Sequence, residues 1–151
     1  MNQGEQTVKT QNQKMGQKGA AAVEFGIILP LLVLLVFGTI EFGVMFYNKQ
    51  VLTNATREGA RAGITGMIDD ADVQQIVRDY CNGKLKNLNG SNDLQVAGDV
   101  VVTPEVNPDG TQDLSVAASF YYKPLFSKII GFSNITIVAS TTMRMEPGSG
   151  S

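Results

Sequence analysis

The first half of the chain contains one long apolar stretch. From Phe25 to Tyr47 the only charged side chain is Glu41, which leaves about the twenty residues that a helix needs to cross a bilayer. Up to Ile40 the stretch is apolar on all sides, and it lacks the polar stripe that a helix packed on a soluble core keeps. The pattern therefore predicts a transmembrane helix over residues 20–47.

Beyond this stretch the helical pattern continues with small and apolar residues. Val51 and Leu52 keep the spacing of a helix, and no stop signal precedes the segment from Gly63 to Gly66. We therefore expect one helix from about Ala20 to Gly63. Its last part, within residues 48–66, would lie outside the membrane and carry a head domain.

The second half of the chain mixes helix and strand patterns. Asp69 and Asp70 predict the cap of a second, amphipathic helix, and the segment from Asn107 to Gly110 predicts a turn. Strands are predicted around residues 94–102, 114–122 and 135–145. We expect an α+β fold, in which a long N-terminal helix is the spine of a small head with one short helix and a three- or four-stranded antiparallel sheet.

The predicted organisation has five parts. They are residues 1–19 as a cytoplasmic leader, 20–47 as a transmembrane helix, 48–66 as its continuation outside the membrane, 67–146 as an α+β head, and 147–151 as a flexible tail. Lys9, Lys14 and Lys18 all precede the apolar stretch, so the positive-inside rule places the N-terminus in the cytoplasm and the head on the opposite side.

Composition narrows the chemistry available to the chain. With 12 Lys and Arg against 14 Asp and Glu, it lacks the broad basic face of a nucleic-acid-binding protein. It has no histidine, and its single cysteine, Cys81, cannot form an internal disulfide or a multi-thiolate metal site. We therefore predict no enzyme activity, no cofactor and no metal. Cys81 is either buried as a small apolar side chain, which we favour, or free to pair with another chain.

A run of small residues, Gly19 to Ala22, precedes the apolar stretch; we refer to it as the small-residue step. A secretory signal peptide has its apolar core before the cleavage site, so that cleavage removes the core. Here the order is reversed, since a polar leader from Met1 to Gly19 comes first and the apolar stretch would be kept. This arrangement resembles a type IV prepilin. Four segments are similar to the TadE-like pseudopilins of tight-adherence (Flp) pilus systems: Gly19 to Phe25, Leu29 to Leu32, Ile40 to Gly43 and Thr56 to Ala62.

The resemblance implies roles for particular residues. Prepilin peptidase, an inner-membrane aspartyl protease, would cut between Gly19 and Ala20. Glu24 would then be the fifth mature residue, which in pilins engages a new α-amino group during assembly; otherwise it is an interfacial acid that suits a helix N-terminus. Glu41 is either solvated near the outer interface or holds a partner helix during assembly. Pro30 either lets the helix loosen for subunit packing or merely bends it.

The resemblance also implies a pilin-like head and a function. The chain would be a minor pseudopilin that takes part in assembly of a pilus used for surface attachment. Its partners would be prepilin peptidase, other pilins, the inner-membrane assembly platform and membrane lipid, and we expect no nucleic acid. It would be a single-pass protein of the bacterial inner membrane with a periplasmic head, or part of the extracellular pilus. The alternatives are an uncleaved scaffold or a surface-binding module of the secretion machine.

Overall fold

The structure, a computed structural model, describes residues 3–88, 96–125, 131 and 134–145. Its elements are α1 (Gln3–Gly63), α2 (Asp70–Cys81), β1 (Val96–Val106), β2 (Gln112–Tyr122) and β3 (Ile135–Arg144). The chain divides into two compact units, Met1–Ile40 and Glu41–Ser151, and α1 belongs to both. This is the predicted α+β fold, a long N-terminal helix followed by a head with one short helix and an antiparallel sheet. The predicted boundaries of the leader and of the membrane span stay predictions.

Helix α1 is longer than expected at its N-terminal end. It begins at Gln3, whereas the sequence predicts a start near Ala20. The residues in between are mostly helix-tolerant, and no proline precedes Pro30, so no stop signal lies in the polar leader. The other end agrees with the prediction, since α1 ends at Gly63.

Helix α2 confirms the predicted cap and its apolar face. The carboxylate of Asp69 accepts a hydrogen bond from the Asp72 amide at 2.8 Å, which satisfies one of the free N–H groups of the first turn. Three side chains spaced four residues apart are buried against the rest of the head: Val73, Val77 and Cys81.

The sheet has the order β1-β2-β3, with both pairs antiparallel. Along β2 every second side chain is buried, from Leu114 to Tyr122, so one face of this central strand lies on the core. Pro104 lies in β1, an edge strand, where a missing N–H is tolerated. The predicted turn is present, because the Gly110 amide donates to the Asn107 carbonyl at 2.9 Å and Gly110 has a φ of +82°.

The core of the head lies between the last six turns of α1, α2 and the inner face of the sheet. Close approach of the helices depends on Gly59, since a Cβ there would stand 2.5 Å from Val77 Cγ2. The largest fully buried side chains include Tyr122, Phe120, Leu52, Leu85, Val73 and Val77.

The sequence also predicts an apolar cluster around Pro124, either in the core of the head, which we favour, or in contact with neighbouring subunits, and the described residues include only part of it. Tyr122 is fully buried, which favours a core role, whereas Tyr121 and Leu125 are 48% and 43% exposed. Four further members lie outside the described residues: Phe126, Ile129, Ile130 and Phe132.

Candidate functional site

The first part of α1 presents an almost wholly apolar surface. Every residue from Gly19 to Ile40 is exposed, including large side chains such as Leu31 (68%) and Leu34 (64%). Such a surface is far more extensive than the patches that monomeric proteins expose to water. Within the described residues, one helix is long and apolar enough to cross a membrane, the segment Gly19–Gly63 of α1.

The predicted processing and assembly residues all lie in this part of α1. Gly19 and Ala20 are exposed, and a Cβ at Gly19 would have no neighbouring atom within 4 Å. Glu24 is also exposed, one turn after Ala20, and Pro30 lies inside the helix. The structure gives none of these four residues a contact that tests its role, and the roles stay predictions.

Glu41 lies at the start of the second compact unit and is bound to the head. One carboxylate oxygen, Oε1, accepts a hydrogen bond from the Tyr122 hydroxyl at 3.1 Å and another from the Leu125 amide at 2.6 Å. Tyr122 is the last residue of β2, and Leu125 lies in the irregular segment that follows. Glu41 therefore joins α1 to the chain that leaves the central strand.

The environment of Tyr122 keeps its hydroxyl protonated. Burial raises the pKa of Tyr122 well above its ordinary value, and the negative charge of Glu41 and the hydrogen bond to it act in the same direction. Because a protonated phenol can donate a hydrogen bond, this shift preserves the contact with the carboxylate.

Two turns after Glu41, Asn48 forms a second polar contact on the same side of α1. Its side chain is fully buried, its amide donates to the Lys86 carbonyl at 2.7 Å, and its Oδ1 accepts from the Lys86 amide at 2.9 Å. Next to it, the Asn87 Oδ1 accepts from the Lys123 amide at 3.2 Å. These contacts tie the segment after α2 both to α1 and to the segment after β2.

The amino-acid sequence alone does not point to Asn48 as a functional residue. Its signal is an uncharged polar residue seven positions after Glu41, between Val44, which packs against the core, and the core residue Val51. A spacing of seven is close to two helical turns, so both residues lie on one side of the helix. Thr56 continues the series, since it is fully buried and its hydroxyl lies 2.9 Å from that of Thr141 in β3.

Cys81 is a buried free thiol, as favoured from the sequence. It is 1% exposed at the end of α2, and burial raises its pKa, which makes it a poor nucleophile. Among the described residues, no three His, Cys, Asp or Glu side chains are grouped as a metal site would require.

Comparison with known proteins adds one finding. The model of the family described as "TadE-like protein" matches residues 19–61, which include the small-residue step, the apolar stretch and part of α1 in the head. The chain carries a TadE-like segment. Neither the curated proteins nor the solved structures contain a significant match. The TadE-like segment associates the chain with the tight-adherence (Tad) pilus, whose TadE-like components are structural proteins, and with α1 it indicates a single-pass membrane protein.

Proposed function

We propose that the chain is a minor pseudopilin, cut by prepilin peptidase between Gly19 and Ala20, that takes part in assembly of a tight-adherence pilus. The observation that carries this proposal is the TadE-like match, which begins at Gly19, directly before the exposed apolar part of α1. Its partners would be the peptidase, other pilins of the same pilus, the inner-membrane assembly platform and lipid.

The local physics of α1 supports cleavage at this position. A glycine in a helix interior weakens the helix by roughly 0.5–1 kcal/mol relative to alanine, so the backbone opens more easily at Gly19 than at its neighbours. A protease needs such opening because the bond it cuts lies within α1. After cleavage Glu24 would be close to the new helix start, where free N–H groups and the new α-amino group favour a carboxylate.

Orientation follows from the lysines of the leader. Lys14 and Lys18 would hold the N-terminus on the cytoplasmic side, where prepilin peptidase acts, and the head would be periplasmic. Once the leader is removed, the subunit would be held by the apolar helix alone and could leave the bilayer for a filament.

The proposal is tested by determining the N-terminal residue of the protein purified from membranes that contain or lack the cognate peptidase. We expect a peptidase-dependent start at Ala20, seen by intact mass and N-terminal sequencing, which Gly19→Leu abolishes. Gly26→Leu is the matched control, because it places the same side chain on the same apolar helix, where a Cβ has no neighbour within 4 Å. This variant should be cut normally.

The opposite result is equally informative. A start at Met1, in cells where the peptidase cuts another pilin, would exclude processing and favour the uncleaved single-pass scaffold. Equal loss of cleavage in Gly19→Leu and Gly26→Leu would mean that the apolar helix is recognised as a whole, without a glycine-specific cut.

A further inference from the structure

The contacts of Glu41 bear on where the membrane ends along α1. We propose that the lipid-embedded part of α1 ends at Ile40, and that Phe42, Phe46 and Leu125 lie in the headgroup layer of the bilayer. The proposal rests on the membrane anchoring in the proposed function but not on cleavage. It gives a span shorter than the residues 20–47 predicted from the apolar pattern.

The backbone bound to Glu41 limits how far the hydrocarbon can extend along α1. The Leu125 amide lies 2.6 Å from the carboxylate, so the irregular segment 123–125 is at the same level of the helix as Glu41. Irregular backbone that faces lipid does not occur within the hydrocarbon core, because its N–H and C=O groups would lack partners. Lys123 adds a charge that is costly there. The hydrocarbon must therefore stop before Glu41.

The length of the helix up to Ile40 matches the thickness of a bilayer. Residues 20–40 form a helix of about 31 Å at 1.5 Å per residue, which equals the roughly 30 Å of a typical hydrocarbon core, and Glu24 lies only about 6 Å from its start, near the opposite interface. A span that continued to Tyr47 would be about 42 Å long and would require strong tilt or a thickened bilayer. A span that ends at Ile40 matches the hydrocarbon thickness and requires neither strong tilt nor a thickened bilayer.

The two sides of α1 just after Ile40 have different surroundings. On one side Val44, Met45 and Asn48 pack against the head, so lipid has no access there. On the other side Phe42 and Phe46 are 61% and 65% exposed, and their ring centroids lie 5.8 Å apart.

The position of this aromatic pair fits an interfacial layer. Phe42 follows Ile40 by about 3 Å along the helix, within the roughly 5–8 Å that headgroups occupy on each side of the hydrocarbon. Phe46 follows by about 9 Å, and because helical side chains lean towards the N-terminus its ring reaches the outer edge of that layer. Leu125, held at the level of Glu41, adds a further exposed apolar side chain at this height. Together these three side chains form an exposed apolar collar near Glu41, so a phospholipid interface is its natural partner.

The absence of tryptophan from the sequence allows a direct test. Single Trp variants of the full chain are reconstituted in vesicles of phosphatidylcholine and phosphatidylglycerol. The variants are Leu31→Trp, Phe42→Trp, Phe46→Trp and Leu125→Trp. Quenching is then compared between lipids brominated near the bilayer centre, lipids brominated near the headgroup, and aqueous iodide. The protein is used uncleaved, so that processing does not enter the result.

We expect strong quenching of Leu31→Trp by the deep bromolipid. Phe42→Trp and Leu125→Trp should be quenched mainly by the shallow bromolipid, and Phe46→Trp by the shallow bromolipid and iodide. Deep quenching of Phe46→Trp as strong as that of Leu31→Trp would overturn the proposal and support a span to Tyr47. Protection of Phe42→Trp and Phe46→Trp from every quencher would also overturn it, since a second copy would then cover the collar. A Leu31→Trp variant that deep bromolipid does not quench would instead contradict the membrane anchoring itself.

Discussion

Glu41 differs from a solvated acid because its carboxylate has two donors from the head. A hydrogen bond to a charged group contributes about 1.5–3 kcal/mol, more than a neutral pair, and the Tyr122 hydroxyl and Leu125 amide share one oxygen. An acid at this position is therefore accounted for within the monomer. A role in holding a partner subunit during assembly stays a prediction that would have to coexist with these contacts.

We predict that Tyr122→Phe destabilises the head by about 1–2 kcal/mol. The substitution removes the hydroxyl but keeps the buried ring, so the loss reports the hydrogen bond to Glu41 rather than packing. The measurement is urea unfolding of the full chain in detergent micelles, followed by circular dichroism. Tyr121→Phe is the control, since this neighbouring ring is 48% exposed and its substitution should change stability little. Equal effects of the two variants would contradict the prediction.

The raised pKa of Tyr122 also predicts a pH dependence. In the unfolded chain the phenol ionises near pH 10, whereas in the folded head burial and Glu41 keep it protonated to higher pH. Above about pH 10 the unfolded state thus binds fewer protons than the folded state, and the free energy of unfolding falls as pH rises. The contribution is fully present below pH 10. Tyr122→Phe lacks the phenol hydroxyl, so its free energy of unfolding should fall less above pH 10 than that of the unmodified chain. If the free energy of unfolding has the same pH dependence in both proteins, the raised pKa of Tyr122 is contradicted.

Asn48 is the residue that fixes the segment after α2. We predict that Asn48→Asp destabilises the head by about 2–3 kcal/mol, because a carboxylate can still accept from the Lys86 amide but faces the Lys86 carbonyl without a proton to donate. Hydrogen exchange at the Lys86 amide should become faster. Asn54→Asp is the matched control on an exposed position of α1 and should leave that exchange unchanged. Unaltered protection of Lys86 in Asn48→Asp would contradict the prediction.

The alternation and capping patterns along the sequence were sufficient to predict most of the head. The buried positions of β2 follow the period of two, and Asp69 caps α2, because both features depend on residues close in sequence. The partners of Glu41 were not predictable in this way. Tyr122 is 81 positions away, and only the packing of β2 against α1 brings its hydroxyl to the carboxylate. The same limit explains why Asn48, whose partner lies 38 positions away, was not identified.

The contact between α1 and α2 depends on the absence of a side chain at Gly59. We predict that Gly59→Ala destabilises the head by about 1–2 kcal/mol, although alanine is the better helix former by about 1 kcal/mol. The added Cβ would meet Val77 Cγ2 at 2.5 Å and force the helices apart or Val77 from its rotamer. Gly43→Ala is the control, since a Cβ there meets nothing within 4 Å and should be neutral or stabilising. The measurement is the urea midpoint of each variant, and the pair Gly59→Ala with Val77→Ala should show non-additive costs.

The two compact units place different demands on their surroundings. Residues 19–40 are exposed throughout, are apolar except for Glu24 and Thr39, and have no core of their own, so they need lipid or other helices. The buried core residues described for the chain all fall between Val51 and Ala139, within the second unit. Removal of the first unit should therefore leave the head's core intact.

We accordingly predict that a fragment beginning at Glu41 folds in water without detergent. It keeps both hydrogen bonds of Glu41 and the Asn48 contact, and its new N-terminus starts α1 with an acid that suits the helix dipole. A fragment beginning at Lys49 loses the contacts of both Glu41 and Asn48 but retains every apolar side chain of the buried core. Its free energy of unfolding should be lower by about 2–4 kcal/mol, which lowers the urea midpoint. Size-exclusion chromatography and cooperative urea unfolding provide the measurement. The prediction is contradicted if the longer fragment aggregates or lacks a cooperative transition while the full chain in micelles has one. In that case residues 1–40 contribute to the stability of the head, and the division at Ile40 is not a folding boundary.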